Sequence, residues 1–136
     1  DIVSPSNVTM TKTELQAAPK ISLDSLLFDK MYGKAFNKEE LYTELEDSLL
    51  AISHAQSFFN RQPYRVIVGD SEIYLVGVPD EMTGENDRHL NYGIAMFNFV
   101  AVLGSLRAEA PKWSFDTPTV NLGLPDGVRY VAKCRI

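Results

Sequence analysis

Few residues in this chain have chemistry beyond packing, and the best placed of them is His89. It follows Asp80, Glu81, Glu85 and Asp87, the densest run of acid, base and metal-binding groups in the sequence. A histidine oriented by Asp87 or Glu85 suits general acid–base catalysis, provided a pocket brings a substrate within hydrogen-bond reach. The spacing lacks the D-x-D-x-D-G ladder of a calcium loop and does not match H-E-x-x-H, so it specifies no metal. The ordinary reading is a solvated or protein-contacting loop, and no cofactor motif occurs anywhere in the chain.

The other candidates carry weaker signals. His54 falls about half a turn from the apolar stripe of its helix and shares a face with Asp47, as a surface histidine does. Gly69-Asp70-Ser71 has the start of a G-x-S-x-G elbow, but Ile73 replaces the second glycine and a strand follows, so it reads as a hairpin turn. Cys134 alternates with Val128, Tyr130, Ala132 and Ile136, which places it inward as an inert buried thiol. Period two then puts Arg129, Val131, Lys133 and Arg135 on the opposite face. That basic row is either a charged strand edge or a docking surface for an acidic partner segment. Trp113 and Phe115, in a proline-containing connection, either close the core or anchor an interface.

These residues need elements to hold them. Residues 1–20 are rich in Ser, Thr, Asn and Pro without apolar period, and read as an extended arm. Ser22 caps a short helix from Leu23 to about Met31, and Gly33 stops it. Asn37 and Glu40 have capping-box spacing for a helix over 38–60, with Leu41, Leu45, Leu49, Ile52 and Phe59 on one stripe and Pro63 ending it. Two hairpins are predicted: 65–68 with 72–78, and 119–124 with 128–136 around Pro125-Asp126-Gly127. Between them, 90–107 reads as a helix capped by Asp87. It is apolar nearly all round, with Asn91, Asn98 and Ser105 as a narrow polar seam.

Composition limits the options further. The chain has 136 residues, 45% hydrophobic and 23% charged, typical of one globular domain that folds without disulfide or metal. Its net charge of −5 disfavours nucleic acid, because backbone binding relies on cations. One cysteine allows no internal disulfide, and the longest apolar run is shorter than the ~20 residues of a membrane span. The first residue, Asp1, fits a removed leader, a cleaved precursor or a start at Met10 with foreign residues before it. Compartment is left open.

The expectation is therefore an α+β domain over 21–136, in which a small, mostly antiparallel sheet of two hairpins packs on the 90–107 helix and N-terminal helices cover it. One chain is expected to struggle to enclose that helix. Asp70 to Asp87 contains six acids and no base, while the last strand carries three bases; such segregation steers association. The leading functional expectation is a non-catalytic interaction protein. It would be a subunit or accessory factor of a larger assembly, such as a phage or secretion machine, bound to a protein partner or to itself. The second is a small-ligand or sensory domain using Asn98 and Tyr92. The third is an enzyme built on the His89 loop.

Overall fold

The computed structural model describes residues 20–55, 62–79 and 84–136. Nearly all of the expected arm, together with Phe59, Asp80 and Glu81, lies outside the described residues.

The elements run α1 (Leu23–Leu26), β1 (Leu27–Asp29), a 3-10 turn (Lys38–Glu40), α2 (Thr43–Ser53), β2 (Tyr64–Val68), β3 (Glu72–Gly77), α3 (Glu85–Ser105), β4 (Trp113–Ser114) and β5 (Arg129–Arg135). This is an α+β architecture with one mixed five-stranded sheet in the order β1-β2-β3-β5-β4. Three strand pairs are antiparallel, and β1 runs parallel to β2.

Both sheet faces are covered, because each carries large apolar side chains at alternate positions. On one face Val66, Val68, Ile73, Leu75 and Cys134 join Leu45, Leu49 and Ile52 of α2 and Tyr92, Ala95, Phe99 and Leu103 of α3 in the main core. Fully burying a side chain the size of Phe99 or Leu103 contributes about 1.5–3 kcal/mol. On the other face Ile67, Tyr74 and Val76 surround the inserted Leu122, with Phe28, Tyr32, Leu124, Val128 and Tyr130 at the margin.

Leu122 marks the main departure from the expected topology. The first hairpin forms as β2 and β3, but residues 119–124 are not a strand. The turn at Pro125-Asp126-Gly127 does form, with Val128 N donating to Pro125 O at 3.1 Å and Gly127 at φ 87°. The strand it leads into, β5, has β3 along one side and β4 only at its Lys133–Cys134 end on the other, yet 119–124 does not pair with the stretch left open. That segment crosses the second sheet face instead. Leu122 is buried, its carbonyl accepts from Tyr32 N, and Gly123 turns away at φ 65°.

The helix expected over 38–60 is also divided. Asn37 Oδ1 accepts from Glu39 N at 3.1 Å and so caps the 3-10 turn, and α2 begins only at Thr43. It ends at Ser53, where each of the last four carbonyls finds a donor, as a buried helix end requires. Leu50 O takes His54 N, Ala51 O takes Asn98 Nδ2, Ile52 O takes Ala55 N and Tyr64 Oη, and Ser53 O takes Gln62 Nε2.

Candidate functional site

The site begins with an irregularity in β5. Val76 pairs with Tyr130 and Leu75 with Ala132, which makes Val131 an extra residue in the ladder. Such a bulge shifts the alternation of side chains by one place. Beyond it Lys133 pairs with Tyr74 and Arg135 with Glu72; Tyr74 belongs to the second sheet face. Before it Arg129 pairs with Gly77, and Gly77 lies beneath the Tyr92 ring on the α3 side. The predicted single basic face is therefore corrected: Arg129 faces α3, whereas Lys133 and Arg135 lie on the far side. For the same reason the expected row of Val128, Tyr130, Ala132, Cys134 and Ile136 is split, with Val128 and Tyr130 on one face and Cys134 on the other. Lys133 is committed to Glu72 at 3.7 Å, and both side chains are mostly covered.

Arg129 enters a cleft of about 480 Å³ whose walls are Arg88, His89 and Tyr92 of α3, Arg129, Tyr130 and Val131 of β5, and Phe115. Burial pushes the Tyr92 phenol above its ordinary 10.0, with Arg88 and Arg129 pulling the other way; both guanidiniums thus act on the same oxygen. His89 is exposed at the rim, its ring centroid 6.3 Å from that of Tyr92. No hydrogen bond joins His89 to Asp87 among the described residues, because positions two apart on a helix face different ways. The Glu85 side chain lies outside the described residues. Sequence reasoning placed Phe115 and Arg129 in the interface hypothesis, Tyr92 in the ligand hypothesis and His89 in the enzyme hypothesis; the fold brings them to one cleft. Arg88 was missed, although it follows the acidic stretch directly.

β4 is short enough to leave part of this wall open. Its Trp113 and Ser114 pair with Cys134 and Lys133 only, so the edge of β5 from Arg129 to Ala132 has no strand beside it among the described residues. After Ser114 the chain leaves the edge, and Tyr130 Oη reaches it to donate to Asp116 O at 2.7 Å. Burial first, then the charges of Glu72, Tyr74 and Asp116, push the Tyr130 phenol up to about 12.

On the other side of Phe115 runs a shallow apolar groove formed by Met96, Phe97, Val100, Pro111, Lys112 and Trp113. Trp113 holds its floor: Nε1 donates to Met96 O at 2.9 Å, and the ring meets Phe99 edge-on at 5.6 Å. Trp113 thereby fastens β4 to α3. Phe115 and Phe97 stand free, 70% and 71% exposed.

Those phenylalanines belong to a larger uncovered surface. At about 100° per residue, Leu90, Gly93, Phe97 and Ala101 lie on one line along α3, opposite the buried Tyr92, Ala95, Phe99 and Leu103. All four are exposed, Leu90 at 62%, and no charged residue occurs from Leu90 to Leu106. The expected polar seam does not line the solvent side along its whole length. Asn91 is buried and Asn98 donates to Ala51 O at 3.5 Å, while only Ser105 is exposed. Asn98 thus serves the end of α2, away from the Tyr92 cleft.

The remaining candidates sit apart. His54 is exposed at the end of α2. Gly69-Asp70-Ser71 is the β2–β3 turn, with Gly69 N donating to Glu72 O and Asp70 3.5 Å from Lys30 Nζ. Cys134 is buried, and burial pushes its thiol up to about 11. Among the described residues, no three of His, Cys, Asp or Glu converge as a metal site, and no helix is long and apolar enough to cross a membrane. Comparison of the chain with known protein families, curated proteins and solved structures gives no match.

Proposed function

We propose that this protein is a docking module, whose outer α3 face and Phe115 receive a partner protein. The observation that carries this reading is the uncharged line Leu90, Gly93, Phe97 and Ala101, which leaves two large apolar side chains mostly in water. Scattered exposed apolar residues are normal, but a contiguous face flanked by an apolar groove is the mark of an interaction surface. Aromatic anchors beside the groove suit the few residues that dominate binding energy at interfaces.

Selection of binders from a random displayed-peptide library tests the reading. Selected peptides are expected to shift the amide resonances of residues 90–101 and 111–115, and to lose binding when Phe97→Asp and Phe115→Asp are combined. Binders that map elsewhere and ignore both substitutions would refute it.

A second reading, small-ligand binding, has the Arg88–Arg129 cleft in its favour. It retains Tyr92 as a polar contact, but Asn98 is engaged with α2. A metabolite that raises the melting temperature of wild type, but not of Arg129→Gln, would favour it.

A further inference from the structure

We infer that the cleft binds an extended, acidic partner segment, which adds as a strand to the open edge of β5 at Arg129–Ala132. This inference rests on the docking reading and specifies the partner's chemistry. Three independent features converge on it.

The first is backbone geometry. A sheet edge presents unpaired N–H and C=O groups, and natural edges are usually blunted by shortness, charge or cover. Here β4 covers only the Lys133–Cys134 end. Arg129, Tyr130 and Val131 on that edge form a wall of the cleft, and no strand pairs there among the described residues. Four residues of strand span roughly 13 Å, enough to register a short peptide.

The second is charge. Among the described residues, Arg88 and Arg129 line the cleft, Lys112 lines the neighbouring groove, and no carboxylate lines either; Arg129 is the cation on which the inference rests. The whole chain carries a net charge of −5, so this basic interior opposes the general surface. Arg129 makes no ion pair among the described residues. An incoming carboxylate would supply one, and a guanidinium binds a carboxylate through two parallel hydrogen bonds.

The third is the continuity of the cleft and the groove through Phe115, which lines both. A strand in the cleft directs alternate side chains to opposite sides. A segment with acidic residues at alternate positions therefore sends its carboxylates to one side, toward Arg129 on the α3 side, while Phe115 links that site to the apolar groove. In strand addition, main-chain hydrogen bonds give affinity and side-chain pockets give specificity.

The test uses a short, end-capped peptide alternating valine with aspartate. One control replaces aspartate with asparagine, and another is N-methylated at alternate amides so that one edge cannot pair. Binding to the full chain is read by fluorescence polarisation at low salt and by backbone amide shifts. The aspartate peptide is expected to bind at least about tenfold more tightly than either control and to shift Arg129–Ala132. Arg129→Gln should erase the preference over asparagine while leaving the melting temperature unchanged, since Arg129 is exposed. Equal binding of the asparagine or N-methylated peptide would overturn the inference. If that binding is nevertheless lost in Phe97→Asp, the docking reading survives without it. Absence of binding by the aspartate peptide at millimolar concentration also overturns it, and the docking reading is then judged by the library selection alone.

Discussion

The Tyr92 ring lies directly over Gly77, so closely that a Cβ on that glycine would overlap the phenol oxygen and stand 2.7 Å from Cζ. Gly77 ends β3 and pairs with Arg129, and both Arg129 and Tyr92 line the cleft. Because Tyr92 is 7% exposed, its ring has little room to swing aside. Gly77→Ala is expected to cost about 1–3 kcal/mol through overpacking. Combining it with Tyr92→Leu should recover at least about 1 kcal/mol relative to the sum of the single changes, measured by urea denaturation in a double-mutant cycle. Simple additivity would show that the two residues do not oppose each other.

Gln62 is a buried latch between three segments. Its Oε1 accepts from Ile21 N at 2.7 Å, and its Nε2 donates to Ser53 O at 2.6 Å and to Tyr64 Oη at 3.4 Å. It holds this position at φ 45°, uncommon for a residue with a Cβ. Gln62→Ala strips partners from buried groups, each worth about 1–3 kcal/mol when left unsatisfied, and should destabilise the fold by roughly 2–4 kcal/mol. Thermal denaturation within half a kcal/mol of wild type would contradict this role.

Phe97 should behave in the opposite way. It is 71% exposed, so Phe97→Asp is expected to leave stability within about 0.5 kcal/mol while lowering the binding of a hydrophobic dye. A large drop in melting temperature would mean that α3 packs differently.

Stability should fall at alkaline pH. The Cys134 thiol rises from its ordinary 9.0 to about 11, and the Tyr130 phenol from 10.0 to about 12, in both cases mainly through burial of a group that is neutral when protonated. Between each ordinary and raised value the folded chain holds a proton that the unfolded chain has released, so stability declines as pH rises. The contribution is complete below about pH 9 and is lost progressively between about 9 and 12. Cys134→Ser at fixed fold should remove the lower part of that decline, as read by denaturant midpoints across the range. An unchanged profile would assign the lower part to other groups.

The α+β class, the first hairpin and the existence of the 85–105 helix were legible because each rests on local pattern: β-branched runs, a turn sequence, an apolar stretch of helical length. The second hairpin was not, because the turn at Pro125-Asp126-Gly127 forms while Leu122 of its upstream arm is drawn into the apolar cluster on the second sheet face instead of pairing with β5. No local signal reports that competition. Likewise, Arg129, Val131, Lys133 and Arg135 alternate perfectly in sequence, and only pairing with β3 reveals the extra residue. Tyr92, His89, Phe115 and Arg129 were recognisable as unusual residues, but their convergence depends on how α3 crosses the sheet.

The bulge at Val131 also divides β5 into two regions with separate duties. Upstream, Arg129 lines the cleft, and under the proposed docking role its exchange for another side chain would retune what the cleft accepts. Downstream, the Lys133–Glu72 ion pair and the Cys134 packing would not register the change. If the cleft recognises a partner as proposed, a single inserted residue would let recognition drift while the framework stays constant, which a regular strand, with every second side chain tied to the same layer, does not permit.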